Sequence, residues 1–97
     1  MLIINFENAA TNSENAVKGD VPLKCDPSYV PLAKANNNTI ATLANNHVCD
    51  YGIDGIHDTI TFLNDAGITT VGAGDNEDDA HKAVSKDING RNITVLN

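Results

Sequence analysis

A short apolar run at residues 39–43 breaks into Ala44-Asn45-Asn46-His47-Val48-Cys49-Asp50-Tyr51 and then into a helical repeat that opens at Gly52 and Ile53. This strand, polar loop and helix constrain the chain more than any other feature. Two carboxamides, an imidazole, a thiol and a carboxylate are packed into one strand-to-helix turn. In open α/β sheets such turns lie at the carboxyl ends of strands, where ligands bind. The second stretch that bears on the same edge is Asn5-Phe6-Glu7, which ends the first apolar run.

The helix after the loop is the clearest in the chain. Ile53, Ile56, Ile60, Leu63 and Ala66 recur at helical spacing, with Asp54, Asp58 and Asn64 turned outward. Gly67 stops it. Residues 2–5 read as a buried strand, and residues 68–71 as another, followed by Gly72-Ala73-Gly74. Residues 6–20 read as an exposed polar loop with Lys18-Gly19-Asp20 as a turn, and residues 21–25 as extended. Asp26-Pro27 pairs an N-cap carboxylate with Pro at the first helical position, so a helix is expected there. Val30, Leu32, Ala33 and Ala35 would form its apolar face and Asn36-Asn37-Asn38 its end. Residues 75–82 predict a short acidic helix, with Glu77-Asp78-Asp79 as its solvated start. Residues 84–88 and 92–96 flank Asn89-Gly90, the strongest short hairpin signal. Strands alternating with helices predict an α/β fold with a parallel sheet. Length predicts one domain, residues 1–97. A strand that opens at the first residues and another that closes the chain suggest part of a longer domain. Uncovered sheet edges at both termini would be templates for self-association.

Parallel strands bring Glu7, the Asn45-Asn46-His47 loop and Gly72-Ala73-Gly74 to one rim. Glu7 offers an anionic oxygen, Asn46 a neutral amide oxygen and His47 a ring nitrogen or a proton. Oxygen and imidazole together suit Mn, Mg, Fe or Zn. His47 alternatively protonates a leaving group, with Asp50 or Asp54 fixing its tautomer. The plainer reading is that Asn45 and Asn46 make turn hydrogen bonds and His47 caps the helix. Cys49 reads as a small buried apolar residue rather than a zinc ligand. Gly72-Ala73-Gly74 lacks the full glycine pattern of a phosphate loop and reads as a plain left-handed turn. His57 and His81 fall on solvated helix faces.

The net charge of −7 argues against nucleic acid, since phosphate binding needs clustered Lys and Arg. Two cysteines, Cys25 and Cys49, do not make a disulfide framework. The first residues lack the basic front of a signal peptide. No apolar run approaches the roughly 20 residues of a membrane span. Asn37-Asn38-Thr39 and Asn92-Ile93-Thr94 match the glycosylation pattern, which matters only in a secreted eukaryotic chain.

The segment Asn5-Phe6-Glu7-Asn8-Ala9-Ala10-Thr11 resembles the "N-L-E-x-x-x-T" segment of capsule-synthesis proteins of the CapA (PGA_cap) type, associated with poly-γ-glutamate synthesis and export. The resemblance continues through Lys24-Cys25-Asp26-Pro27 and is most specific in Leu43-Ala44-Asn45-Asn46-His47 with Asp50-Tyr51-Gly52, Gly55 and Asp58-Thr59. Ala66-Gly67-Ile68, Gly72-Ala73-Gly74, Ala80 and the hairpin also fit, so the match covers nearly the whole chain. It implies part of a calcineurin-like metallophosphoesterase sandwich. It further implies Asn46 as a metal ligand, His47 as the proton donor and Glu7 in the loop that holds a metal-bridging carboxylate. Attack by metal-bound hydroxide on a phosphate ester or related group would be the chemistry. Poly-γ-glutamate or a phosphorylated small molecule would be the partner. The family's opening strand, ending in "G-D", and its later His-containing loops have no counterpart in these residues. The chain therefore holds at most half of such a site, and on its own is expected to be inactive. A non-catalytic polymer-handling module on the same fold is the alternative. Family members are often exported or membrane-anchored; these residues carry no signal for either.

Overall fold

The computed structural model describes residues 1–17 and 21–97. The Lys18-Gly19-Asp20 turn expected from sequence lies outside the described residues. Three parallel strands, β1 (Leu2–Asn5), β4 (Thr39–Thr42) and β5 (Thr69–Val71), form a sheet in the order β1-β4-β5. The register runs Leu2↔Thr39 to Asn5↔Thr42 on one side of β4 and Ile40↔Thr69 to Thr42↔Val71 on the other. The carboxyl ends of all three strands thus share one edge, as the alternation of elements requires. The chain is α/β, as its sequence predicts.

Between β1 and β4 the sequence reading needs correction. Residues 6–20 are not simply an exposed loop. Ala9–Ala10 is a strand, β2, fully buried and paired in parallel with β3 (Lys24–Cys25). Helix α1 (Gly52–Asp65) receives this pair. Thr59 Oγ1 accepts from Ala10 N at 2.9 Å and donates to Gly55 O at 2.6 Å, while Thr11 Oγ1 donates to Asp58 Oδ2 at 2.5 Å. Asp58, expected to face water, is half-buried for that reason.

The helix expected after Asp26 is a 3-10 turn over Pro27–Ala33. Asp26 caps it as expected, accepting from Ser28 N at 2.9 Å. That hydrogen bond from the Ser28 backbone holds the exposed Asp26 carboxyl below its ordinary value. Pro31 has no N–H to return to residue 27, so an α-helical ladder starting from Asp26 breaks at its second bond. Tighter bonds such as Lys34 N to Pro31 O form instead. The changed period leaves Val30 buried but Leu32 81% exposed. Thr39 Oγ1 then accepts from Ala35 N and Asn36 N and leads the chain into β4.

Leu63 of α1, Leu43, Val48, Ile68, Ala41, Val30 and Ala10 form the core between helix and sheet. Ile53 lies off that stripe, 72% exposed. The helix ends as Gly67 predicts, with Ile68 N bonded to Leu63 O and Gly67 N to Asn64 O, both at 2.9 Å. Gly67 has φ +81°. An added Cβ would meet Lys34 Nζ at 2.7 Å, but that ammonium sits at the end of a flexible chain and can move. Gly67→Ala is therefore expected to cost about 1–2 kcal/mol, the left-handed backbone penalty alone. Urea denaturation checks this, and an unchanged midpoint would contradict it.

Helix α2 (Glu77–Ala80) is one turn, shorter than expected, and the hairpin β6 (Val84–Ile88) and β7 (Arg91–Val95) follows. Asn89 and Gly90 both have positive φ, as a two-residue turn of this kind demands. Among the described residues no helix is long and apolar enough to cross a membrane.

Candidate functional site

The loops that leave β1, β4 and β5 meet on the carboxyl edge of the sheet. Asn45 is the joint between the first two. Its Nδ2 donates to Phe6 O at 2.9 Å and Asn5 Oδ1 at 3.2 Å. Its Oδ1 accepts from His47 N at 3.1 Å and Val48 N at 3.0 Å. Asn5 in turn donates from Nδ2 to Glu7 Oε2 at 3.0 Å. Glu7 and His47, 40 positions apart in the chain, are thus tied through two carboxamides.

His47 Nδ1 lies 2.7 Å from Asp50 Oδ2, and the same oxygen accepts from Leu23 N at 2.8 Å. Asp50 is almost fully buried, at 4% side-chain exposure, whereas the His47 ring is 24% exposed. The carboxylate takes Nδ1 as the imidazole's inner edge and directs the proton there in the neutral ring, leaving Nε2 as the second functional nitrogen. Sequence left Asp50 and Asp54 open as the partner; the structure pairs Asp50 with the ring, and Asp54 lies exposed in the first turn of α1. Leu23 N on Asp50, Val17 N on Asp50 O and the Lys24 ammonium 5.4 Å from the Tyr51 ring centroid hold Val17, Leu23 and Lys24 against this loop.

Asn46 is exposed on the rim and lines an open groove of about 580 Å³ with Ala44, Val48, Cys49, Ile56 and the Gly72–Gly74 turn. Gly72 has φ +95°, the plain left-handed turn expected, and Leu43 N bonds Val71 O beneath it. Cys49 is exposed, against the expectation of a buried residue: Val48 turns into the core in its place. Cys25 is half-buried, and burial, then the charge of Asp26, raise its thiol, so it is a weak nucleophile. His57 and His81 are exposed as expected, His57 Nδ1 lying 3.3 Å from Asp75 Oδ1. Asp79 of the acidic turn is held below its ordinary value by Lys82, whose Nζ donates to it at 2.7 Å.

Glu7 and Asn46 are hard oxygen donors of the kind a divalent cation takes. Among the described residues, however, no three His, Cys, Asp or Glu side chains gather as a metal-binding group. These donors do not amount to a closed metal centre. The plainer sequence reading gave turn hydrogen bonds to both Asn45 and Asn46; Asn45 makes such bonds, to His47 N and Val48 N. The sequence reading singled out Asn5 only as part of the Asn5-Phe6-Glu7 stretch and gave its side chain no role of its own.

Comparison with known proteins places the chain in a family. All 97 residues match the family model described as "Bacterial capsule synthesis protein PGA_cap". The chain is 36% identical over 95 residues to the PGA biosynthesis protein CapA of Bacillus subtilis (strain 168), covering 95% of this chain and 25% of that protein. It is 34% identical over 96 residues to the capsule biosynthesis protein CapA of Bacillus anthracis, covering 95% of this chain and 23% of that protein. A probable polyglutamine synthesis accessory protein of Mycobacterium tuberculosis (strain ATCC 25618 / H37Rv) is 40% identical over 73 residues, 74% of this chain and 19% of that protein. The chain spans a quarter or less of the length of these relatives. It belongs to the PGA_cap family of bacterial capsule synthesis proteins.

Proposed function

We propose that these residues supply one half of the functional rim of a protein of capsule or poly-γ-glutamate biosynthesis, built as part of a calcineurin-like metallophosphoesterase sandwich. The buried Asp50 carboxylate on His47 Nδ1 carries this reading. A histidine held this way offers Nε2 to a leaving group as a proton donor or acceptor, the arrangement general acid–base work requires. His47 is the proton-transferring group, Asp50 orients it, and Glu7 with Asn46 contributes oxygen donors toward a divalent cation (Mn, Fe, Zn or Mg). Further ligands would have to come from outside the described residues. Such a cation, when bound, supplies positive charge to a phosphoryl or carboxylate oxygen. A phosphorylated small molecule or a segment of poly-γ-glutamate is the substrate class, both being anionic.

The absence of a three-ligand group among the described residues favours a second reading, a polymer-handling module without catalysis. Calorimetric titration of Mn²⁺, then Zn²⁺, into chelator-stripped protein separates the two. The first reading expects saturable binding with Kd on the order of 0.1–1 mM, as suits few oxygen donors. Glu7→Ala and Asn46→Ala should each weaken it at least about tenfold, and His47→Ala should leave it within a factor of about two. A flat titration of folded wild-type protein would favour the second reading.

A further inference from the structure

We infer that Asn45 and Asn5 are positioning residues that set the Glu7 carboxylate against the His47 imidazole. The inference rests on the reading of Glu7 and His47 as parts of one site. Its own evidence is the continuous path from Glu7 Oε2 through Asn5 Nδ2, Asn5 Oδ1 and Asn45 Nδ2 to Asn45 Oδ1 and His47 N. A carboxamide has two N–H donors and one oxygen with two acceptor positions. Asn45 uses all of them, on Phe6 O, Asn5 Oδ1, His47 N and Val48 N. It has nothing left to offer a ligand. Asn45 therefore holds the rim together, and the neighbouring Asn46 is exposed on it.

The tether matters because Asn45 joins the end of β1 to the loop after β4. Phe6 N to Thr42 O is the last backbone ladder bond on that side. Beyond it Glu7 stands on an exposed turn, and its direction is set by Asn5. Asn45 reaches back to both the Asn5 amide and the Phe6 carbonyl. It converts two loops that end separate strands into one unit. A carboxylate and an imidazole that act on one substrate must keep a fixed separation, and small misplacements are costly.

The polarity of each bond supplies a test. Asn45→Asp keeps an acceptor for His47 N and Val48 N but loses the donor to Phe6 O and Asn5 Oδ1, and sets a carboxylate against two oxygens. Asn5→Ala removes the support of Glu7 and leaves three bonds of Asn45 in place. Asn45→Ala removes everything. Backbone residual dipolar couplings of the isotope-labelled chain read orientation residue by residue. Asn45→Asp should alter the couplings of residues 6–8 and retain those of His47 and Val48. Asn5→Ala should alter Glu7 alone of the two functional residues. Asn45→Ala should alter both loops, with amide exchange at His47 and Val48 about tenfold faster. Should Asn45→Ala fail to fold, the other two variants decide. Wild-type couplings at residues 6–8 in both Asn45→Asp and Asn5→Ala would overturn the inference. Mn²⁺ calorimetry on the same variants reads the site separately. Altered couplings with weakened binding support the inference. Altered couplings with unchanged Mn²⁺ affinity overturn the claim that the pair works as one site. A flat wild-type titration counts against the cation reading, and the couplings still decide the tether.

Discussion

Asp50→Ala is expected to lower stability by about 2–3 kcal/mol and to free the His47 ring. Hydrogen bonds to a buried carboxylate are worth about 1.5–3 kcal/mol each, and their removal leaves donors stranded. Asp50 Oδ2 receives two, from Leu23 N and His47 Nδ1. Leu23 is partly exposed, so its N–H can recover some hydration, which places the sum below two full bonds. The loss is not local. Leu23 O accepts from Ala9 N, so the strap over Asp50 also feeds the β2–β3 pair. Asp50→Asn is the control. An amide oxygen in place of Oδ2 still accepts both N–H groups, and the charge is the main thing lost. It should recover more than half of the stability. Urea denaturation of the three proteins measures this, with ¹⁵N shifts of the His47 ring to report the Nδ1 proton. An Asp50→Ala protein within about 0.5 kcal/mol of wild type would sink the account.

The parts of the fold that sequence revealed are those where one residue type answers one local demand. Gly67 and Gly72 stand where the backbone turns left-handed, Asn89-Gly90 where a hairpin needs two positive φ values, and Asp26 where a turn needs a cap. The parallel order followed from strands separated by long connections. The β2–β3 pair was illegible because two residues carry no periodicity. Ala9–Ala10 is buried by what α1 presents to it, the small Gly55 and the hydroxyl of Thr59. The 3-10 turn was legible in principle, since Pro31 stands where an α-helix needs its N–H.

The site divides in the same way. Composition of the loop named His47 and a carboxylate partner, but spacing alone left Asp50 and Asp54 equivalent. Burial decided between them: Asp50 turns inward beside Val48 and Tyr51, whereas Asp54 is already on the solvent side of α1. Asn45 and Asn46 are the sharper case. No sequence rule separates two neighbouring asparagines; the contact of Asn45 with the end of β1 is visible only in the folded chain.

Leu63→Ala is expected to have the largest effect on stability, about 3–4 kcal/mol, the range for a fully buried Leu truncated where its surroundings relax little. Leu63 has no exposure and sits among Leu43, Val48, Ile68 and Ala41. Ala41 is too short to fill the space, and Val48 and Ile68 are β-branched, with restricted χ1 freedom. Domains of about this size are held by roughly 5–10 kcal/mol, so the loss is a large fraction of the total. Thermal unfolding should fall by on the order of 15 °C. The consequence for the site follows from position. Leu43 precedes the polar loop and Val48 lies within it, and both belong to the same core as Leu63. A cavity there removes the shared support of the strand end and of the turn that carries His47. Leu63→Met, which fills most of the volume, should cost less than about 1.5 kcal/mol. If Leu63→Ala and Leu63→Met were equally stable, the loop would not depend on this packing, and the rim would be held by its hydrogen bonds alone.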